Sequence, residues 1–112
     1  MSAIETAVRV LIGLLIRGDY ATIERVTRGR LVTAEQLQQA VLEYGRTLVE
    51  PGADWWNQVT VTPIDAGDRA AFHVAAPLWT VEEGRSDLTL ELRLAESAPG
   101  VYESEVLDFH VP

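Results

Sequence analysis

The chain has 112 residues, no cysteine and a formal net charge of −8. That length suits one domain with a core of its own, and the missing thiols exclude disulfides, thiolate metal sites and cysteine nucleophiles, as expected of the reducing cytoplasm. Residues 1–50 carry six arginines against six acids and residues 51–112 three against eleven, so the whole acidic excess lies in the second half, which repels phosphate and argues against binding nucleic acid or an anionic membrane.

From about Ala3 to Arg17, Ile4, Val8, Leu11 and Leu15 recur at helical spacing, with a narrow polar stripe of Glu5, Arg9 and Gly13. The run Val10–Ile16 is too short to cross a bilayer and reads as part of this buried helix. Gly18 suits a left-handed helix stop, and Asp19 then caps a second helix over about Tyr20 to Arg28, ended by Gly29. Arg25, Arg28 and Arg30 gather where cations favour the negative end of a helix dipole. Thr33-Ala34-Glu35-Gln36 is a capping box opening a third helix, with Leu37, Ala40, Val41, Tyr44 and Leu48 on its apolar face and Glu50-Pro51-Gly52 closing the helical half, residues 1–50.

In the sheet half, residues 53–112, β-branched and aromatic residues predict four strands: about Trp55–Ile64, Ala70–Trp79, Leu88–Ala95 and Val101–Val111. Leu88, Leu90, Leu92 and Leu94 alternate with Thr89, Glu91 and Arg93, the pattern of a strand with one buried face. The short connections, among them Asp65–Asp68 and Ser97–Gly100, suit an antiparallel meander. Helices first and strands afterwards give an α+β fold of three helices and a four-stranded antiparallel meander.

Two resemblances attach to these residues. The helix ending in Arg17-Gly18-Asp19-Tyr20, the short second helix, the capped third and a meander ending in Val106-Leu107-Asp108-Phe109-His110-Val111 resemble the cystatin-like, NTF2-like (SnoaL-type) superfamily. That likeness implies a bent sheet wrapping a long helix into a cone, and it carries over no catalytic residue. The stretch Pro77-Leu78-Trp79-Thr80-Val81-Glu82-Glu83-Gly84-Arg85-Ser86-Asp87-Leu88-Thr89-Leu90-Glu91 is similar to the signature of a small bacterial family of unknown function.

Four groups of residues carry the chemistry. Glu82, Glu83, Arg85, Ser86 and Asp87, with Trp79 and Thr80 at the edge, form a charged turn that reads either as a solvated loop or as a recognition loop for a cationic partner. Trp55 and Trp56, placed in a strand, would point to opposite faces, one into the core and the other towards a pocket or a partner. His73 lies in a predicted strand whose buried face is ambiguous, and a structural role outweighs a catalytic one. His110 and Asp108 share the phase opposite Leu107, Phe109 and Val111, so they face solvent or a partner; the histidine spacing is not that of a zinc site.

The reading is a non-enzymatic bacterial binding domain, of an accessory or immunity type. It uses its acidic sheet half and exposed aromatics to hold a protein partner or a second copy of itself. No catalytic residue, metal or cofactor is expected, and neither nucleic acid nor membrane is a partner. The rival is a SnoaL-like protein or enzyme that takes a small molecule inside the cone, with His73 or an acid as its polar group and Trp55, Trp56 or Trp79 as walls.

Overall fold

Ser2 starts the first helix by accepting the Glu5 N–H at 3.0 Å on its hydroxyl, in the manner of an N-cap. In the computed structural model, which describes residues 2–27, 31–65 and 67–111, helix α1 spans Ala3–Arg17 and buries Val8, Leu11, Ile12, Leu14 and Leu15. Gly18, at φ 71°, stops it in the left-handed conformation, with its N–H on the Leu15 carbonyl and the Asp19 N–H on the Leu14 carbonyl. Asp19 then accepts from the Thr22 N–H at 3.3 Å and hydroxyl at 2.8 Å, which opens α2 at Tyr20–Thr27. These two hydrogen bonds, the hydroxyl first, also hold the Asp19 carboxyl below its usual range. The expected end of α2 at Arg28 and Gly29, and Arg30 with them, lie outside the described residues.

Helix α3, Ala34–Tyr44, carries the expected capping box: Thr33 accepts from the Gln36 N–H, and the Gln36 side chain accepts from the Thr33 N–H. It ends earlier than the spacing of Leu48 predicts. Gly45 takes φ 72° and returns its N–H to the Val41 carbonyl, so Leu48–Val49 leave the helix as strand β1. There Leu48 faces Thr80 and Val49 faces Trp79, an antiparallel pairing that outweighs one more turn of amphipathic helix.

The strand expected from Trp55 begins only at Thr60. Trp55–Gln58 form a 3-10 helix, closed by the Trp55 N–H on Gly52 and the Val59 N–H on Trp56, and β2 follows at Thr60–Ile64. Strands β3 (Ala71–Thr80), β4 (Gly84–Ala98) and β5 (Val101–His110) complete a five-stranded antiparallel sheet in the order β1-β3-β4-β5, with β2 also beside β3. Both β1 and β2 thus flank the same edge of β3, at Trp79–Thr80 and at Ala71–Ala75. Between them the Trp55 indole N–H donates to the Pro77 carbonyl at 2.9 Å. A side chain therefore takes the place of a strand where β3 holds a proline, which has no N–H to share.

Leu88, Leu90, Leu92 and Leu94 are all buried, as their alternation requires. With Val74, Ala76, Leu78, Val106 and Phe109 they meet α1, Ile23 of α2 and Leu37 of α3 in a continuous apolar cluster. The β3–β4 ladder is irregular near the hairpin: Pro77 faces Thr89 and Trp79 faces Arg85, so Ser86, Asp87 and Leu88 stand opposite Leu78 alone. Buried Ser86 closes this bulge, donating its hydroxyl to the Leu78 carbonyl at 2.9 Å and accepting the Leu88 N–H at 3.2 Å. Ser86→Ala should cost about 1–3 kcal/mol in urea unfolding, because it leaves both backbone groups buried without that partner; a loss below the lower figure would mean the bulge closes without the hydroxyl.

Candidate functional site

The two sides of the sheet differ in chemistry. One carries the leucines of β4 and faces the helices; on the other, ladder register gathers His73 and Ala75 of β3, Thr89, Glu91 and Arg93 of β4, and Glu105, Asp108 and His110 of β5. A second bulge makes this possible. Leu92 faces Val106 and Glu91 faces Asp108, so Leu107 is the extra residue. Val106 and Phe109, three apart, can then both point to the core while Asp108 and His110 stay on the polar side.

On that side the chain's two histidines converge on one carboxylate. Glu91 faces Ala75 and Asp108 directly and lies diagonal to His73 and His110, within reach of long side chains. His73 Nε2 lies 2.9 Å from Glu91 Oε1, and His110 Nε2 is hydrogen-bonded to Glu91 Oε2. Asp108 completes the group: its Oδ2 is 3.9 Å from His110 Nε2, while its Oδ1 accepts the Phe109 N–H at 2.8 Å. His73, Glu91 and His110 are half-buried and Asp108 is exposed. The His110 hydrogen bond is the chief cause that holds the Glu91 carboxyl below its usual range; His73 adds to it and burial opposes it.

The charged turn is tied into the structure. Glu82 accepts from the Thr47 N–H at 2.8 Å and hydroxyl at 3.2 Å, and Glu83 accepts the Tyr44 phenol at 2.7 Å and the Thr80 hydroxyl at 3.2 Å. Together they fasten residues 82–83 to the end of α3 and the approach to β1. Burial first, then the bond to Glu83, pushes the Tyr44 phenol up. Arg85 and Asp87 are exposed on β4. Trp79 is half-buried, donates to Gln58 Oε1 at 3.3 Å and lies so close to Gly52 that a Cβ there would sit 3.0 Å from its ring.

The Thr47 N–H is the main cause that lowers Glu82 from its ordinary 4.5, with the Thr47 hydroxyl and Arg46 adding to it. A depressed carboxyl contributes stability above its unfolded value, and that contribution is lost as pH falls through the folded one. The amide resonances of Thr47 and Val81, whose N–H donates to the Thr47 carbonyl, should therefore shift together below pH 4.5. Glu82→Gln should abolish that titration; a midpoint above 4.5 would contradict the pairing.

The tryptophan doublet does not alternate across a sheet. On the 3-10 turn the two rings stand 5.5 Å apart at 54°, with Trp55 wholly buried and Trp56 half-buried. Arg9 lies over the Trp55 ring at 4.8 Å and pairs with Glu5 at 2.9 Å. Arg9 and Trp55 border a groove of about 410 Å³ between α1 and the segment before the 3-10 helix, lined also by Gly13, Arg17, Glu50 and Pro51.

Of the residues singled out from the sequence, His73, Asp108 and His110 come together on the polar side; Trp55, Trp56, Trp79, Glu82 and Glu83 make packing or tethering contacts, and Arg85 and Asp87 stay exposed. In the sequence Glu91 stands only as the polar phase of a leucine strand, and its position between two histidines depends on the register shifts of the two ladders that flank β4. Among the described residues, no helix is long and apolar enough to cross a membrane. No curated protein and no solved structure matches the chain. A family model described as Domain of unknown function (DUF7668) matches residues 12–112, and the chain belongs to that family.

Proposed function

We propose that this chain is a non-enzymatic binding domain, a bacterial accessory or immunity-type protein, whose working surface is the polar side of the sheet. The observation that carries this reading is the charge on that side. Ladder register sets Glu91, Glu105 and Asp108 on it with Arg85 and Arg93 as its cations, exposed Asp87 lies in the adjoining bulge, and the other side is occupied by the helices. A basic protein surface is the complementary partner, attracted by field as much as by contact. We also place the fold with the NTF2-like proteins; three helices followed by an antiparallel sheet with three register shifts support that placement.

A photoreactive residue at Thr89, between the carboxylates, should crosslink a partner from host lysate. The same residue at exposed Gln38 on α3 should not, and capture should fall as salt is raised. Glu105→Gln with Asp87→Asn should weaken it further. Equal capture from both positions, or capture indifferent to salt and to the charge changes, would overturn the proposal. A second copy of the chain as the captured species would identify the partner as itself, and sedimentation velocity would then show a dimer.

A second reading rests on the groove beside Trp55. Its volume of about 410 Å³ falls within the range of small-molecule sites, and Arg9 and Arg17 on its walls favour an anionic ligand. This is the SnoaL-like alternative moved from the interior to the surface, with Trp55 as a wall and His73 on another part of the molecule. Quenching of tryptophan fluorescence by small carboxylates, lost in Arg9→Gln, tests it.

A further inference from the structure

We propose that His110, Glu91 and Asp108 form a binding site for a divalent transition-metal ion of the zinc or cobalt kind, with His73 as the residue that positions Glu91. The donors come from two adjacent strands: His110 Nε2 and an Asp108 oxygen from β5, and a Glu91 oxygen from the central β4. The three ligand atoms all lie within 4.8 Å of one another. An ion held at about 2.0–2.2 Å from each donor brings them a little over 3 Å apart, a change that small side-chain rotations supply.

Each ligand is already aimed. Asp108 is fixed through Oδ1 by the Phe109 N–H, which leaves Oδ2 towards His110. Glu91 is fixed through Oε1 by His73 Nε2, which leaves Oε2 towards His110. The ion would take the place of the proton shared between His110 Nε2 and Glu91 Oε2, and that proton would leave to solvent. One imidazole and two carboxylates, without thiolate, suit a borderline divalent ion, and the exposure of Asp108 leaves water to complete the coordination. A hydrogen bond from a second histidine to a ligating carboxylate is the outer-shell arrangement that orients metal ligands. This site does not depend on the proposed partner, and its test needs none.

Untagged, chelator-stripped protein titrated with Zn²⁺ in a calorimeter should bind one ion per chain. Co²⁺ should give visible absorption bands that Zn²⁺ displaces. His110→Ala should abolish binding, and Asp108→Asn, at an exposed site that cannot threaten folding, should weaken it at least about tenfold. His73→Ala should weaken it about 10–100-fold, while His73→Gln, which keeps an N–H donor, should restore most of the affinity. Absence of saturable one-to-one binding at millimolar Zn²⁺ or Co²⁺ would overturn the proposal. So would binding that survives both His110→Ala and Asp108→Asn, and an equal loss in His73→Ala and His73→Gln would remove His73 from its positioning role.

Discussion

Trp55→Ala should destabilise the protein by about 3–5 kcal/mol, the cost of emptying a large aromatic site in a packed core. Trp55 is wholly buried, its indole N–H is bonded to the Pro77 carbonyl, and its ring lies against Trp56 and beneath Arg9. The indole also stands in the gap between β1 and β2 along β3, so its removal leaves the Pro77 carbonyl without that donor. Trp55→Phe separates the two contributions. It keeps most of the apolar volume and loses the donor, and should cost about 1–3 kcal/mol beyond the small change in packing. Chemical denaturation of both variants measures the difference. Equal stability of Trp55→Phe and the parent would mean that the Pro77 carbonyl finds another donor, and a loss below about 2 kcal/mol in Trp55→Ala would mean the site collapses around the smaller residue.

What the sequence made legible was local. The glycine–aspartate break after α1 and the capping box of α3 depend on residues within a few positions of each other, and both form as their chemistry requires. The leucine alternation of β4 is equally self-contained. Where a distant partner decides the outcome, the local pattern misleads. Trp55 and Trp56 have strand-favouring side chains, yet the open carbonyl of Pro77, far along the chain, draws the first indole into a 3-10 turn. Leu48 continues the helical spacing of Tyr44, yet Gly45 and the pairing with Thr80 remove it from the helix.

The candidate site shows the same division. That Asp108 and His110 share a face follows from their spacing of two, whereas the meeting of His73 and His110 on Glu91 follows from register. Three irregularities set that register, at Ser86–Leu88, at Leu107 and between Glu96 and Ala98. The pair Val106 and Phe109, apolar at a spacing of three within one strand, is the sequence trace of the second bulge. Glu82 and Glu83 mislead in the opposite direction: conspicuous in sequence, they bond to Thr47 and Tyr44, which the linear order keeps far from them.

Leu37→Ala should cost about 2–5 kcal/mol and should loosen α3 before the rest of the molecule. Leu37 is the one residue that α3 buries fully, among neighbours Ala40, Val41 and Tyr44 that are only partly covered. Beyond the partial packing of Ala40, Val41 and Tyr44, the helix is held by the Ala34 N–H on Glu24 at 2.7 Å and the Tyr44 phenol on Glu83. Both of those bonds are polar and at least partly open to water, where a hydrogen bond contributes only about 0.5–1.5 kcal/mol. Truncating Leu37 therefore removes the most deeply buried contact of α3 while leaving the leucine face of β4 in place. Hydrogen exchange should show protection lost across 34–44 and kept in β3 and β4, with the melting transition lowered and broadened. Leu42→Ala, on the same helix but 67 % exposed, should change stability by less than about 0.5 kcal/mol and serves as the matched control. Uniform loss of protection in helix and sheet together would show that α3 unfolds with the core as a single unit.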